Sequence, residues 1–197
     1  KNFDLRKWHR GGLTTANYDT FNLNNLMALA PQDKKSLARL EAARYYIAQN
    51  MPAESLGILR NMERLGFDDI EPSSFFAARG MANFLMNRFE EAVKDLSHET
   101  LRNEEEAIFW RAAAEASLGE PEKQINHFKK ASKFLRSYPQ PVRGRLALVG
   151  VKSAIAAEED MLAQNFLEMS YNPDGSPAQK SEHAYFRAKW NEIAGSY

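Results

Sequence analysis

The residues that could do chemistry are few and scattered. Four histidines, His9, His98, His127 and His183, are the only imidazoles, and no two stand at the i, i+4 spacing that puts a zinc-binding pair on one helix face. The chain has no cysteine, which excludes disulfides, thiolate metal sites and Cys nucleophiles together. No GxSxG elbow, Walker A loop or GxGxxG turn occurs. Gly144 and Gly150 flank the run RLALV inside a helical pattern, the wrong setting for a phosphate cradle. The acidic run Glu104-Glu105-Glu106 has the charge for a cation, but it opens a helical stretch, where the macrodipole favours negative side chains. The remaining carboxylates fall on predicted solvent faces. No catalytic, cofactor-binding or metal-ligating residue is expected, and the chain reads as a non-enzyme.

One basic cluster stands out: Lys129, Lys130, Lys133 and Arg136, with Arg143 and Arg145 nearby. A solvated helix face, its cations complementing the helix C-terminus, is the first reading. Nucleic-acid or acidic-partner binding is the alternative. Lys+Arg and Asp+Glu both number 26, so the chain lacks the basic excess of a typical nucleic-acid binder. No apolar run approaches the ~18 residues of a membrane span. The start, KNFDLRKWHRGG, has no apolar signal region and no initiator Met, so the chain is expected to be a piece of a longer protein, cytoplasmic or periplasmic.

The elements that must position these residues are helical throughout. Residues 1–31 read as an irregular lead-in containing Gly11-Gly12, with Phe3, Leu5 and Trp8 able to dock on the first helices. The lead-in ends in a short helix, capped by Asp19 or Thr20, with Phe21, Leu26, Met27 and Leu29 as its apolar face and Pro31 as its stop. From residue 36 onward the apolar period is 3.6, and the helices come in pairs at roughly 36–66, 73–101, 104–136 and 142–170, with a final helix over 177–197. Turn signals separate the partners: Asn50-Met51-Pro52, Asn87-Arg88-Phe89, Gly119-Glu120-Pro121 and a stretch around 158–160. Pro72-Ser73 opens the second pair, and Ser176-Pro177 the last helix.

The pair over residues 75–96, FFAARGMANFLMNRFEEAVKDL, organises the rest. Gly80 and Ala92 stand where two helices must cross closely, and Phe76, Phe84, Phe89 and Leu96 flank them. Aligning the other pairs on their small residue gives Ala43, Gly80, Ala112, Val151 and Ala188, at steps of 37, 32, 39 and 37 residues. This pattern resembles the tetratricopeptide repeat (TPR), whose unit is about 34 residues. The match is good in the second pair, moderate in the third, where Gln124 opens the return helix, and weak in the fourth, where Val151 replaces Gly or Ala. The last helix matches the first half of a fifth unit.

The resemblance implies an all-α, right-handed superhelix of about four hairpins plus a final unpaired helix, with the irregular lead-in packed on it. It also implies a protein or peptide partner held in a concave groove. Carried over position by position, the groove would be formed by Leu40, Arg44 and Ile47 of the first pair and Met81 and Phe84 of the second. Phe109 of the third, Leu148 and Lys152 of the fourth, and Tyr185 and Lys189 of the last helix would complete it. The alternative is that the apolar members are inter-repeat core or lie beneath the lead-in. The Lys and Asn clamp of chaperone-tail-binding relatives is missing, since Arg44, Met81, Ala113, Lys152 and Lys189 occupy the positions after the crossing. A spacer role, and self-association through the unpaired last helix, are the remaining expectations.

Overall fold

A computed structural model describes residues 1–9 and 16–195, with the backbone alone for residues 16–20, 131 and 132. Among the described residues every regular element is a helix and there is no strand. The lead-in around Gly11-Gly12 and the end at Ser196-Tyr197 lie outside these residues, as do the side chains of Asp19 and Thr20. The chain divides into two compact units, Lys1–Ala107 and Ile108–Tyr197.

The first unit holds α1 (Leu5–Trp8), α2 (Ala16–Leu29), α3 (Lys35–Ala48), α4 (Pro52–Leu65), α5 (Pro72–Leu85) and α6 (Phe89–Leu96). Helix α3 pairs with α4 and α5 with α6, while α4 also packs on α5. The second unit contains most of α7 (Glu105–Leu118), then α8 (Ile125–Leu135), α9 (Gln140–Ala156), α10 (Asp160–Ser170) and α11 (Pro177–Ala194). Here α9 and α10 form a hairpin, and α11 rests on both.

Each hairpin turn hinges on one left-handed residue: Asn50, Asn87, Glu120 and Glu158, with φ of 57°, 59°, 50° and 56°. At three of them the helix closes with the paired bonds of a Schellman end, Met51 N–H to Tyr46 O, Arg88 N–H to Asn83 O and Glu159 N–H to Ala154 O. At the other the corresponding residue is Pro121, which has no N–H to give. Gly119, expected to end that helix, does not take the left-handed conformation; Glu120 does. Likewise α5 is entered from Glu71 with no side-chain cap, so Ser73 does not play that part. Ser176 caps α11 in a full capping box with Gln179.

The crossings recur at one spacing. Ala43 and Leu59, Gly80 and Leu96, Ala112 and Phe128, and Gly150 and Phe166 are each 16 residues apart, and all eight are buried. A Cβ on Gly80 would lie 2.6 Å from Leu96 Cγ, and one on Gly150 would lie 2.9 Å from the Phe166 ring. The fourth crossing therefore belongs to Gly150, not to the neighbouring Val151, and its counterpart is Phe166. In the second unit the rings of Phe109, Phe128 and Phe166 succeed one another edge to face at 5.5 and 5.8 Å.

The N-terminal segment is fastened across the first unit. Phe3, Leu5 and Trp8 are buried, and α1 lies on α3. The Arg44 guanidinium sits over the Trp8 ring at 5.1 Å and donates to Ser74 Oγ, whose hydroxyl donates to Asn2 Oδ1 at 2.8 Å. Asn2 Nδ2 in turn donates to Glu104 Oε2 at 3.1 Å, and Lys1 Nζ stands 3.6 Å from Glu106 Oε2. Helix α2 differs from expectation. Among its described side chains Leu23 is buried, packed with Ala42, Tyr45 and Tyr46, and Met27 is partly buried against the same cluster. Phe21, Leu26 and Leu29, assigned to the apolar contact face, point to solvent instead. The two stripes lie on opposite sides of the helix, and Leu23 with Met27 matches the surface that α3 presents.

Candidate binding cleft

The ten positions expected to form a groove fall into two groups. Leu40, Arg44, Ile47, Met81, Phe84, Phe109 and Leu148 are buried. Arg44 is packed against the Trp8 ring of the N-terminal segment. Lys152, Tyr185 and Lys189 are exposed, and Tyr185 keeps 60% of its surface. An apolar floor open to a partner is thus replaced by core, because helices nested through alanine and glycine leave no gap over these side chains.

Three members of the basic cluster, Lys129, Lys133 and Arg143, make local contacts. Lys129 pairs with Glu159 at 2.5 Å, and Lys133 lies over the Phe134 ring at 4.7 Å. Arg143 donates to Gln140 Oε1 at 2.6 Å and to Arg136 O at 3.4 Å. Arg145 is partly buried, which lowers its pKa, while Glu182 acts in the opposite sense. Among the described residues no group of three or more His, Asp or Glu side chains could hold a metal.

A concavity of about 410 Å³ runs between α10 and α11. Leu167, Glu168 and Tyr171 line it from α10 and the residue after it, and His183, Arg187 and Trp190 from α11. These three α11 residues stand one helical turn apart, on the opposite side of the helix from Tyr185 and Lys189. Arg187 and Glu168 bring opposite charges to a wall that also holds Gln164, Leu167 and the rings of Tyr171, His183 and Trp190. The Trp190 indole Nε1 is buried with no acceptor among the described residues.

His183 secures α11 to α10. Its Nδ1 lies 2.8 Å from Ser170 Oγ, and its ring is 5.7 Å from that of Tyr171. The Ser170 hydroxyl donates its single proton to Leu167 O at 2.8 Å. The arrangement that satisfies both bonds therefore has Nδ1 protonated and donating to Oγ. Burial first, and then the nearby Arg187 charge, lower the His183 pKa below the usual imidazole value. A serine beside a histidine has the spacing of a nucleophile and base. Ser170, however, is only 4% exposed and gives its proton to a backbone carbonyl, so the pair locks two helices together.

Compared with known proteins, the chain matches no family model, no curated protein and no solved structure. Sequence reasoning misses His183, Arg187 and Trp190 as a set. Their spacing of four and three residues is visible, but it also describes any helix face turned toward a neighbour.

Proposed function

We propose that the chain is a non-catalytic, TPR-like interaction module that binds a peptide or protein segment. The binding face comprises Lys152 on α9 and Tyr185 and Lys189 on α11. The observation that carries this reading is the exposure of Tyr185, a large amphipathic ring one helical turn before the exposed Lys189, on a helix whose opposite side is tied to α10 through His183. Tyrosine in such a setting is a favoured interface anchor. The engagement of Lys129, Lys133 and Arg143 in local contacts favours it over a nucleic-acid function.

The test is selection from a randomised peptide library displayed against the whole chain. Peptides recovered on this face lose binding when Tyr185→Ala or Lys189→Glu is introduced, and keep it with Lys94→Ala on the exposed side of α6. Peptides insensitive to all three substitutions would remove this face from the proposal. Affinity collapsing between low and moderate salt would point instead to polyanion binding.

A further inference from the structure

Residues 1–9 are seated on the first unit by side chains rather than by secondary structure. Only Leu5–Trp8 is helical, a single turn capped by Asp4, whose Oδ1 accepts from Lys7 N–H at 3.3 Å. Phe3, Leu5 and Trp8 turn inward, while Lys1, Arg6 and Lys7 stay in solvent. The seat has two ends of different chemistry. At one, Glu104 accepts from Asn2 and Glu106 faces Lys1, so two carboxylates receive an amide and an ammonium. At the other, Arg44 offers its cation to the face of the Trp8 ring. Ser74 links the ends, accepting from Arg44 and donating to Asn2. All four seat residues belong to the first unit.

The fit is incomplete in one respect. Arg44 Nη1 donates to Glu41 and Nη2 to Ser74, but the buried Nε has no acceptor among the described residues. A buried donor left without a partner is costly. An occupant that brought a carbonyl or carboxylate beside its aromatic ring would satisfy this donor, which Trp8 does not. The segment is also of a kind that opens by itself. Burial of three side chains has to offset the ordering of nine residues, and the ion pair to Glu106 is made by an exposed Lys1. Such segments lie at the low end of local stability.

We infer that residues 1–9 are a displaceable strap over a binding site on the first unit, and that the occupant displacing them is a segment of a partner polypeptide with the same order of chemistry. That segment brings a cation and an amide to Glu106 and Glu104, then aliphatic and aromatic anchors, the last of them against Arg44. The site is separate from the Tyr185 face and does not depend on it.

The probe is a synthetic peptide with the sequence of residues 1–9, acetylated at its start and carrying a fluorophore at its end. It is titrated into the full chain and into the Trp8→Ala and Asn2→Asp variants. In the parent the strap has the advantage of its tether, a high effective concentration, so the free peptide binds weakly. Either variant is expected to bind it roughly tenfold more tightly or better, and alanine at the peptide's tryptophan removes the gain. Asn2→Asp changes a half-buried side chain and keeps the test open if Trp8→Ala does not fold. In the parent, the Trp8 indole N–H is expected to exchange with solvent roughly tenfold faster, or more, than the Ala78 and Ala82 amides of α5. Equal rates would mean that the segment leaves only when the unit unfolds, and overturn the inference. So would a peptide that binds neither variant. Parent dimers dissolved by the peptide would give the site to a second copy and overturn the partner. Loss of peptide binding on adding Tyr185→Ala would place the peptide on the other face and overturn the assignment.

Discussion

Arg79 and Asp95 meet face to face, both carboxylate oxygens engaged, at the point where α5 and α6 cross. Asp95 is 3% exposed, and the guanidinium is closed from above by the Phe75 and Phe76 rings at 4.9 and 5.3 Å. Burial opposes the Arg79 charge, but Asp95 and Glu63 outweigh it and raise its pKa. Removing one member of such a pair strands the other. Asp95→Ala is expected to cost about 3 kcal/mol, read as a lower urea midpoint at unchanged slope. A loss below about 0.5 kcal/mol, the range of exposed pairs, would show that solvent compensates Arg79.

The crossing tolerates no added bulk. Gly80→Leu would drive a side chain into Leu96, and Ala92→Asp would place a carboxylate at a fully buried position on the same hairpin. Each is expected to cost about 3 kcal/mol or more. Gly150→Leu, facing Phe166, should behave like Gly80→Leu, whereas a crossing at Val151 would make that neighbour the sensitive position. Thermal melts of the three glycine and alanine variants that coincide with the parent would mean the helices do not nest this way.

The N-terminal segment contributes to stability through Trp8. Trp8→Ala removes a 6% exposed ring and the platform under Arg44, at a cost of about 3 kcal/mol. Hydrogen exchange should speed up selectively on the exposed flank of α3. Unchanged protection there would show that α1 only rests on the surface.

Two turns pair the left-handed conformation with a residue that disfavours it. Glu158 has φ 56° and an exposed side chain, whereas Asn50 and Asn87 hold the equivalent places in other turns. Glu158→Asn is expected to stabilise by about 1 kcal/mol, since asparagine relieves part of the left-handed cost. A lower melting temperature for this variant would place the strain elsewhere.

The His183 lock is sensitive to acid. Its folded pKa lies below the value of about 6.5 found in unfolded chains. Below that pH the unfolded chain binds the proton more readily, so stability is complete above it and is lost as pH falls toward the folded pKa. His183→Gln should flatten the melting temperature between about pH 7 and pH 5, relative to the parent. Parallel curves would assign the acid sensitivity to other groups.

The helical class is legible in the sequence because apolar residues recur at 3.6 and the breakers fall between them. Finer matters depend on contacts that periodicity does not carry. In α9 the residues Leu148, Gly150 and Val151 are all buried, so nothing in composition separates a crossing at 150 from one at 151. In α2 both stripes are apolar, and choosing Leu23 over Phe21 requires the shape of α3. The seven buried groove positions come from family geometry, which does not record how closely alanine-rich helices approach here. Arg79 with Asp95, and Ser170 with His183, are separated by 16 and 13 residues on different helices. Their types are ordinary and their meeting is set only by packing.

The hold of Asn2 on Ser74 and Glu104 has a consequence for biogenesis. Residues 1–9 leave the ribosome long before either anchor has been made, 72 and 102 positions later. Until then α3 can offer Trp8 a surface, but Asn2 has neither of its polar anchors, so the segment is held at one end only. These nine residues are translated ahead of their anchors and settle after them.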